Sequence, residues 1–316
     1  MTERVTFTRR RIRSNGVTIQ CASAGDGPPL LMLHGYPQTH VMWHLVAPVL
    51  AQRYTVVCAD LRGYGDSSKP RGLPDHSTYS KRVMAEDMVG VMRALGHERF
   101  HLVGHDRGAR VAHRLARDHG ERVRTLTVID ISPTLAMYGS TNMAFARAYY
   151  HWFLFIQPEP VPEKMVAAVG LAGMFGRQGV ILGTPSDLFA PPALKEYFRC
   201  FDARTIHASC EDYRASACID LEHDRADVAA GRKLAMPVLA IWGSRGVVGR
   251  MFDCAADWRE VADDVTGVAL DSGHFVPEER PAEVAHAIDE FLSARNRSHL
   301  VLGASPHRGH RRALLG

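Results

Sequence analysis

The chain has 316 residues, of which 46% are hydrophobic and 23% charged, which fits one sizeable globular domain with room for an inserted subdomain. The formal net charge of +4 is small and the arginines are spread along the chain, so composition gives no reason to expect nucleic acid as a partner. No apolar run approaches the length of a membrane span, and the six cysteines lack paired metal-ligand spacing, so we expect reduced thiols and a cytoplasmic location.

The N-terminal segment predicts a β-hairpin, because Asn15-Gly16 separates two strand-like runs and this dipeptide is a strong hairpin signal. Further along, apolar runs of strand length alternate with longer helical patterns. These runs are Leu30 to Leu33, Thr55 to Ala59, Phe100 to Val103, Thr125 to Ile129, Val238 to Trp242 and Val265 to Leu270. The alternation predicts an α/β fold with a mostly parallel sheet flanked by helices.

The strand pattern stops between about Ser132 and Arg232, where segments rich in aromatic residues and methionine have helical spacing. This change predicts a helical cap inserted over the sheet. We therefore expect the first part of the core at residues 1–132, the cap at 133–232 and the second part of the core at 233–296, closed by a helix from Ala282 to Leu292. Residues 297–316 have no clear periodicity and are expected to form a flexible tail.

The run Gly104-His105-Asp106-Arg107-Gly108 follows an apolar strand and opens a helical pattern, which is typical of the sharp turn that holds a catalytic nucleophile. Asp106 stands at the nucleophile position in place of serine. A carboxylate is suited to displacing a leaving group from tetrahedral carbon and so forming an ester with the enzyme. Water must then hydrolyse that ester, which requires a base.

The other candidate catalytic groups also follow predicted strands, whose carboxyl ends meet at one edge of a parallel sheet. His274 follows the last strand and is predicted as the base, and Asp130 is predicted as the carboxylate that orients it. The alternative role for Asp130 is a turn cap. Backbone N–H groups of Tyr36 and Arg107 are predicted to form an oxyanion hole.

Arg107 and Arg110 lie three residues apart in the first turn of the predicted helix after the nucleophile, so they are expected to project from one face. Two guanidinium groups at this place fit a substrate carboxylate, which they can hold in bidentate contact. The alternative is a pair of surface arginines in salt bridges to Asp118 or Glu121.

The segment from Gly104 to Leu115 resembles the nucleophile segment of fluoroacetate dehalogenases, a branch of the alpha/beta hydrolase fold. The early loop from His34 to Gln38, the pair His151-Trp152 and the run from Cys210 to Arg214 are similar to further motifs of that family. The resemblance covers residues from about 15 to 295. It implies the alpha/beta hydrolase fold with an inserted cap, no cofactor, a homodimer, and hydrolysis of a 2-haloacetate to glycolate and halide.

The resemblance also implies roles for individual residues. Arg107 and Arg110 would hold the carboxylate of the haloacid, and His151, Trp152 and Tyr213 would donate hydrogen bonds to the departing halide. Fluoride gives up its hydration shell only when the protein supplies equivalent donors, and imidazole, indole and phenol groups are such donors. The alternative for the segment around His151 and Trp152 is the plain apolar face of a cap helix.

Two other functions stay open at this level. Epoxide hydrolases share the aspartate nucleophile and need cap tyrosines, a part that Tyr213 with Tyr149 or Tyr150 could play. A small-molecule receptor on the hydrolase fold would bind a ligand without turnover. No metal site is predicted, since His, Cys, Asp and Glu show no convincing metal spacing.

Overall fold

The computed structural model describes residues 5–174, 180–181 and 184–302. It opens with the predicted hairpin, formed by the antiparallel strands β1 (Thr8–Ser14) and β2 (Val17–Ala24). Asn15 and Gly16 join them with φ angles of 47° and 78°. Both angles lie in the left-handed region that a two-residue turn of this kind requires, so the hairpin prediction is confirmed.

Six long strands follow, and they coincide with the six predicted apolar runs to within two residues at each end. They are β3 (Pro29–Leu33), β4 (Thr55–Ala59), β5 (Phe100–His105), β6 (Val123–Ile129), β9 (Val238–Gly243) and β10 (Val265–Leu270). All eight form one sheet in the order β1-β2-β4-β3-β5-β6-β9-β10. Strand β2 is antiparallel to both of its neighbours, β1 and β4, and every other neighbouring pair is parallel.

Helices cover both faces of this sheet, which explains why its central strands are almost continuously apolar. In β3, Leu31 and Leu33 face one hydrophobic core while Leu30 and Met32 face the other, because successive side chains point to opposite faces. The helices of this part are α1 (Ala47–Leu50), α2 (Lys81–Ala94), α3 (Arg107–Asp118), α11 (Val247–Met251), α12 (Cys254–Val261), α13 (Val276–Glu279) and α14 (Pro281–Leu302). The fold is therefore the predicted α/β architecture.

The interval between β6 and β9 is mainly helical, as the loss of strand pattern predicted. It contains α4 (Thr134–Gly139), α5 (Met143–Ala148), α6 (Tyr150–Phe155), α7 (Val161–Met174), α8 (Pro191–Cys200), α9 (Ala203–Ala217) and α10 (Ile219–Ala229). Two short strands, β7 (Val180–Ile181) and β8 (Thr184–Pro185), pair with each other. We refer to residues 134–229 as the cap segment.

The C-terminal helix is longer than the sequence analysis predicted. Helix α14 continues through Leu302, ten residues past the expected end at Leu292, so the first six residues of the expected tail are helical. The physical reason is the absence of a helix breaker, because no glycine or proline follows Pro281 before Gly303. The rest of the expected tail, residues 303–316, lies outside the described residues. Among the helices that the structure describes, none is long and apolar enough to cross a lipid bilayer.

Candidate active site

Asp106 occupies a sharp turn between β5 and α3, with a φ of 46° and a ψ of −115°. This backbone conformation is strained for a residue with a side chain, and such strain is typical of functional positions. The two glycines of the motif make the turn possible. A Cβ at Gly104 would lie 2.6 Å from the backbone of Ala109, and a Cβ at Gly108 would lie 2.4 Å from the carbonyl oxygen of His34.

The turn presents the Asp106 side chain to the loop that follows β3. The backbone N–H of Tyr36 donates a hydrogen bond to Oδ2 of Asp106 at 3.0 Å. Gly35 allows this approach, since a Cβ there would lie 2.6 Å from the Cβ of Asp106. The backbone N–H of Tyr36, predicted as an oxyanion-hole donor, therefore contacts one oxygen of the Asp106 carboxylate.

His274 and Asp130 meet at the same edge of the sheet. Nδ1 of His274 lies 2.6 Å from Oδ2 of Asp130, and the backbone N–H of Gly243 donates to the other oxygen of Asp130 at 3.0 Å. Asp130 has a φ of 54°, a second left-handed residue at a strand end. With Nδ1 protonated toward Asp130, the Nε2 atom of His274 is the basic one, which is the arrangement that a general base needs.

Burial and neighbouring charges shift the pKa values of Asp106 and His274 in opposite directions. Burial alone would raise the pKa of Asp106, but the charges of His274 and Arg107 outweigh it and hold that pKa below the ordinary value. Burial alone would lower the pKa of His274, but the hydrogen bond and charge of Asp130 raise it. Asp106 is therefore ionised at neutral pH, whereas His274 gives up its proton only above its ordinary pKa.

The two predicted carboxylate-binding arginines are buried, with exposed fractions of 0% for Arg107 and 2% for Arg110, so the alternative of a surface pair is wrong. Their surroundings differ. Arg107 forms a salt bridge of 2.7 Å with Asp212, whereas Arg110 donates to Thr134 at 2.8 Å and has no carboxylate within 4 Å among the described residues. It is Arg114, one turn further along the helix, that pairs with Asp118.

The predicted halide-binding residues come from two helices of the cap segment, α6 and α9, and lie close to one another. The ring of Tyr213 lies 5.8 Å from that of His151 and 6.1 Å from that of Trp152. Burial lowers the pKa of His151 to about 3 and raises that of the Tyr213 phenol, so both are neutral donors. In the described part of the chain, no hydrogen bond uses the imidazole, indole or phenol of these three residues, which leaves their N–H and O–H groups for a ligand.

Two residues contribute to this site in ways that the sequence did not predict. The ring of Tyr36 stacks on His151 and contacts Tyr213 edge-on, so its side chain helps to enclose the donors as well as its backbone. Asp212, directly before Tyr213, binds Arg107. The available signal for Asp212 was its place directly before the predicted ligand Tyr213, but its partner is distant in sequence and could not be named.

One cluster in the cap segment has metal-like composition, with ligand atoms of Glu159, Glu163 and His207 within 4.8 Å of one another. Both carboxylates already bind cations, since Arg71 lies 2.6 Å from Glu159 and Arg214 lies 2.7 Å from Glu163. Nε2 of His207 accepts a backbone hydrogen bond, which places the imidazole proton on Nδ1, the atom that faces the carboxylates. The cluster is therefore arranged as an ion-pair network.

The chain is similar to several known proteins over most of its length. A family model described as the alpha/beta hydrolase fold matches residues 28–167. Fluoroacetate dehalogenase from Burkholderia sp is 46% identical over 91% of this chain and 94% of that protein. Soluble epoxide hydrolase from Corynebacterium sp. (strain C12) is 32% identical over 91% of this chain and 98% of that protein. The crystal structure of a candidate alpha/beta hydrolase from Nostoc sp PCC 7120 superposes with a TM-score of 0.85 at 52% identity, over 91% of this chain and 98% of that chain.

The sheet order, the strained turn at Asp106 and the family match define the protein as an alpha/beta hydrolase. Within that fold the chain belongs to the fluoroacetate (haloacetate) dehalogenase family, because nearly the whole of the Burkholderia relative aligns with it.

Proposed function

We propose that the protein hydrolyses 2-haloacetates, namely fluoroacetate and chloroacetate, to glycolate and halide through an ester with Asp106. The observation that carries this proposal is Arg110, a buried guanidinium beside the nucleophile without a carboxylate partner among the described residues. A buried cation is costly unless an anion compensates it, and a substrate carboxylate is such an anion. A neutral epoxide would leave that charge uncompensated.

In the first step, Oδ1 of Asp106 attacks the carbon that bears the halogen. The new carbon–oxygen bond forms as the carbon–halogen bond breaks, and the halide leaves with the bonding electrons. The N–H and O–H donors of His151, Trp152 and Tyr213 receive it. Meanwhile Arg107 and Arg110 hold the carboxylate, so that carbon and nucleophile stay aligned.

In the second step, Nε2 of His274 takes a proton from water, and the resulting hydroxide attacks the ester carbonyl at Cγ of Asp106. The negative charge develops on Oδ2, which already accepts the N–H of Tyr36 at 3.0 Å. The backbone N–H of Arg107, the other predicted oxyanion-hole donor, would be the second donor to Oδ2. Asp130 stabilises the imidazolium until the glycolate oxygen takes up the proton and the carboxylate of Asp106 is restored.

The first experiment is halide release from fluoroacetate and chloroacetate by the wild type, Asp106→Asn and Asp106→Ala, with glycolate measured in parallel. Asp66→Asn is a matched control because that aspartate pairs with Arg199 at the surface. Loss of release by about 10³-fold or more in both Asp106 variants, with the control active, supports the proposal. Full activity of Asp106→Ala would contradict it.

The epoxide hydrolase alternative draws on the Corynebacterium relative and on the neutral phenol of Tyr213. Of the two possible partner tyrosines, Tyr150 is 47% exposed, whereas Tyr149 is buried against Trp152. Tyr149 is therefore the better second proton donor. Hydrolysis of styrene oxide without halide release would favour this function, and ligand binding without any turnover would favour a receptor.

We further propose a cytoplasmic homodimer. All six cysteines are free thiols, which suits a reducing compartment. On α7, Val161, Met165 and Val169 recur every four residues and are each about half exposed, so they form an apolar ridge that a second copy could cover. A shift from dimer to monomer in Met165→Glu, measured by light scattering, would support this assembly, and an unchanged mass would contradict it.

A further inference from the structure

Behind Arg107 lies a buried group of charges that the reaction steps above do not use. Nε and Nη2 of Arg107 donate to the two carboxylate oxygens of Asp212 at 3.0 and 2.7 Å, a bidentate contact. Nη2 also donates to the backbone oxygen of Asp212 and to Ser216. One edge of the guanidinium is thereby fixed, and Nη1 is buried without a hydrogen-bond partner in the described structure.

The carboxylate of Asp212 also binds groups other than Arg107. Its carboxylate accepts hydrogen bonds from Tyr64 at 2.7 Å and from the ammonium of Lys81, and that ammonium lies 3.3 Å from Asp220. Two carboxylates and two cations thus form a closed group, with Arg107 as one of its members. Although burial would raise the pKa of Asp212, Arg107 and Lys81 hold it well below the ordinary value, so the pair with Arg107 is ionic.

Arg110 stands outside this group. Its guanidinium donates to Thr134 and lies 4.7 Å from the ring centre of Trp152, and its Nε has no hydrogen-bond partner among the residues described. Burial and the charge of Arg107 both lower the pKa of Arg110, which means that its cation is poorly stabilised without a ligand. The two arginines are therefore electrostatically unequal, although they are neighbours in one helical turn.

From this asymmetry we propose that Asp212 is a positioning residue for the carboxylate site. It neutralises Arg107 and turns its free Nη1 toward the substrate, so that Arg107 serves as a directed hydrogen-bond donor while Arg110 supplies the attracting charge. Asp212 also keeps Arg107 from pairing with Asp106 and blocking the nucleophile. Because Arg107 belongs to α3 and Asp212 to α9, docking of the cap segment on the core sets the geometry of the site. The identity of the bound anion as a carboxylate rests on the proposed function.

The test is a double-mutant cycle read out by equilibrium binding of acetate, the halogen-free analogue of the substrate, with ligand-observed NMR. The four proteins are the wild type, Asp212→Asn, Arg107→Met and the double variant. If Asp212 acts through Arg107, Asp212→Asn weakens acetate binding about tenfold in the wild-type background but less than about twofold once Arg107 is gone. Asp220→Asn is the matched control, since it removes a buried charge from the same group without touching Arg107. It is expected to change acetate binding less than about twofold.

Equal losses from Asp212→Asn in both backgrounds would overturn the proposal, because they would show a structural role independent of Arg107. So would a loss in Asp220→Asn as large as that in Asp212→Asn, or a wild type that does not bind acetate. Thermal unfolding of the variants detects misfolding. Asp212→Glu restores the charge and so tests whether acetate binding is lost because Arg107 is no longer positioned. Halide release by the wild type is assayed separately, so coupled acetate binding without halide release would reject dehalogenation and leave the role of Asp212 standing.

Discussion

Nδ1 of His274 and Oδ2 of Asp130 lie 2.6 Å apart, with both side chains at most 5% exposed. The two residues follow β6 and β10 and are 144 positions apart in the sequence. The position of the pair favours His274 as the base that hydrolyses the ester formed by Asp106.

Asp130→Asn should slow hydrolysis of the ester much more than its formation, because the neutral amide cannot stabilise the imidazolium of His274. A loss of about 10³- to 10⁴-fold in the second step is expected. Rapid mixing with chloroacetate should then show a burst of about one equivalent of chloride, and mass spectrometry should detect the ester on Asp106. Normal steady-state turnover by this variant would contradict the role of Asp130.

The pH dependence of ester hydrolysis should follow His274, whose pKa is raised by Asp130 against the effect of burial. The base works only when neutral, so the rate of the second step should rise with pH through a value above the ordinary histidine pKa. In Asp130→Asn the supporting charge is lost, and this limb should move to lower pH although the rate is smaller. Single-turnover rates across the pH range measure this rise in the wild type and in Asp130→Asn. A rise at the same pH in both proteins would argue against an effect of Asp130 on the pKa of His274.

His151→Ala should reduce fluoride release by about 10²- to 10³-fold and chloride release by about tenfold or less. Fluoride is the poorer leaving group and depends more on donated hydrogen bonds, and the neutral imidazole of His151 is one of the three donors that we propose for it. The ratio of the two rates cancels general damage to the enzyme. Tyr150→Phe is a suitable control, because Tyr150 is the adjacent residue and is exposed. Equal losses with both substrates would remove His151 from the halide site.

Glu278 should make the protein less stable as pH rises. Burial raises the pKa of this carboxyl to about 7, while the hydrogen bond from Tyr197 opposes that shift. Gln38 donates to its Oε1 at 2.6 Å. A raised pKa means that the folded state binds the proton more tightly, so this stabilisation is complete below the ordinary glutamate pKa and is lost as pH rises through about 7. The shift from 4.5 corresponds to a loss on the order of 3 kcal/mol.

Glu278→Gln removes the titrating group and should flatten the fall in unfolding free energy between about pH 5 and 8, measured by urea denaturation. Tyr197→Phe should steepen the fall, since the hydrogen bond that lowers the pKa of Glu278 is lost. Because the two substitutions should change the pH dependence in opposite directions, the comparison is specific for titration of Glu278. An identical pH dependence in all three proteins would show that Glu278 does not titrate in this range.

Local patterns in the sequence determined the strands, the hairpin at Asn15-Gly16 and the turn at Asp106, because turn chemistry and apolar runs act over a few residues. They also indicated that the candidate catalytic groups lie together, since the carboxyl ends of strands in a parallel sheet share one edge. The end of the last helix was missed for a local reason too. The stretch lacks strong periodicity, which predicts a tail, but it also lacks a residue that stops a helix.

Tertiary structure alone decided how the two arginines differ. Their spacing placed Arg107 and Arg110 on one face of a helix, but the partner of Arg107 comes from residue 212, more than one hundred positions away, and Arg110 has no such partner in the described chain. Burial and neighbouring charges decided the pKa values of His151, His274 and Glu278, because these depend on how much water and charge surround each group after folding. Sequence spacing specifies which groups share an element, whereas the energy of a charge is set by neighbours that only the folded chain brings together.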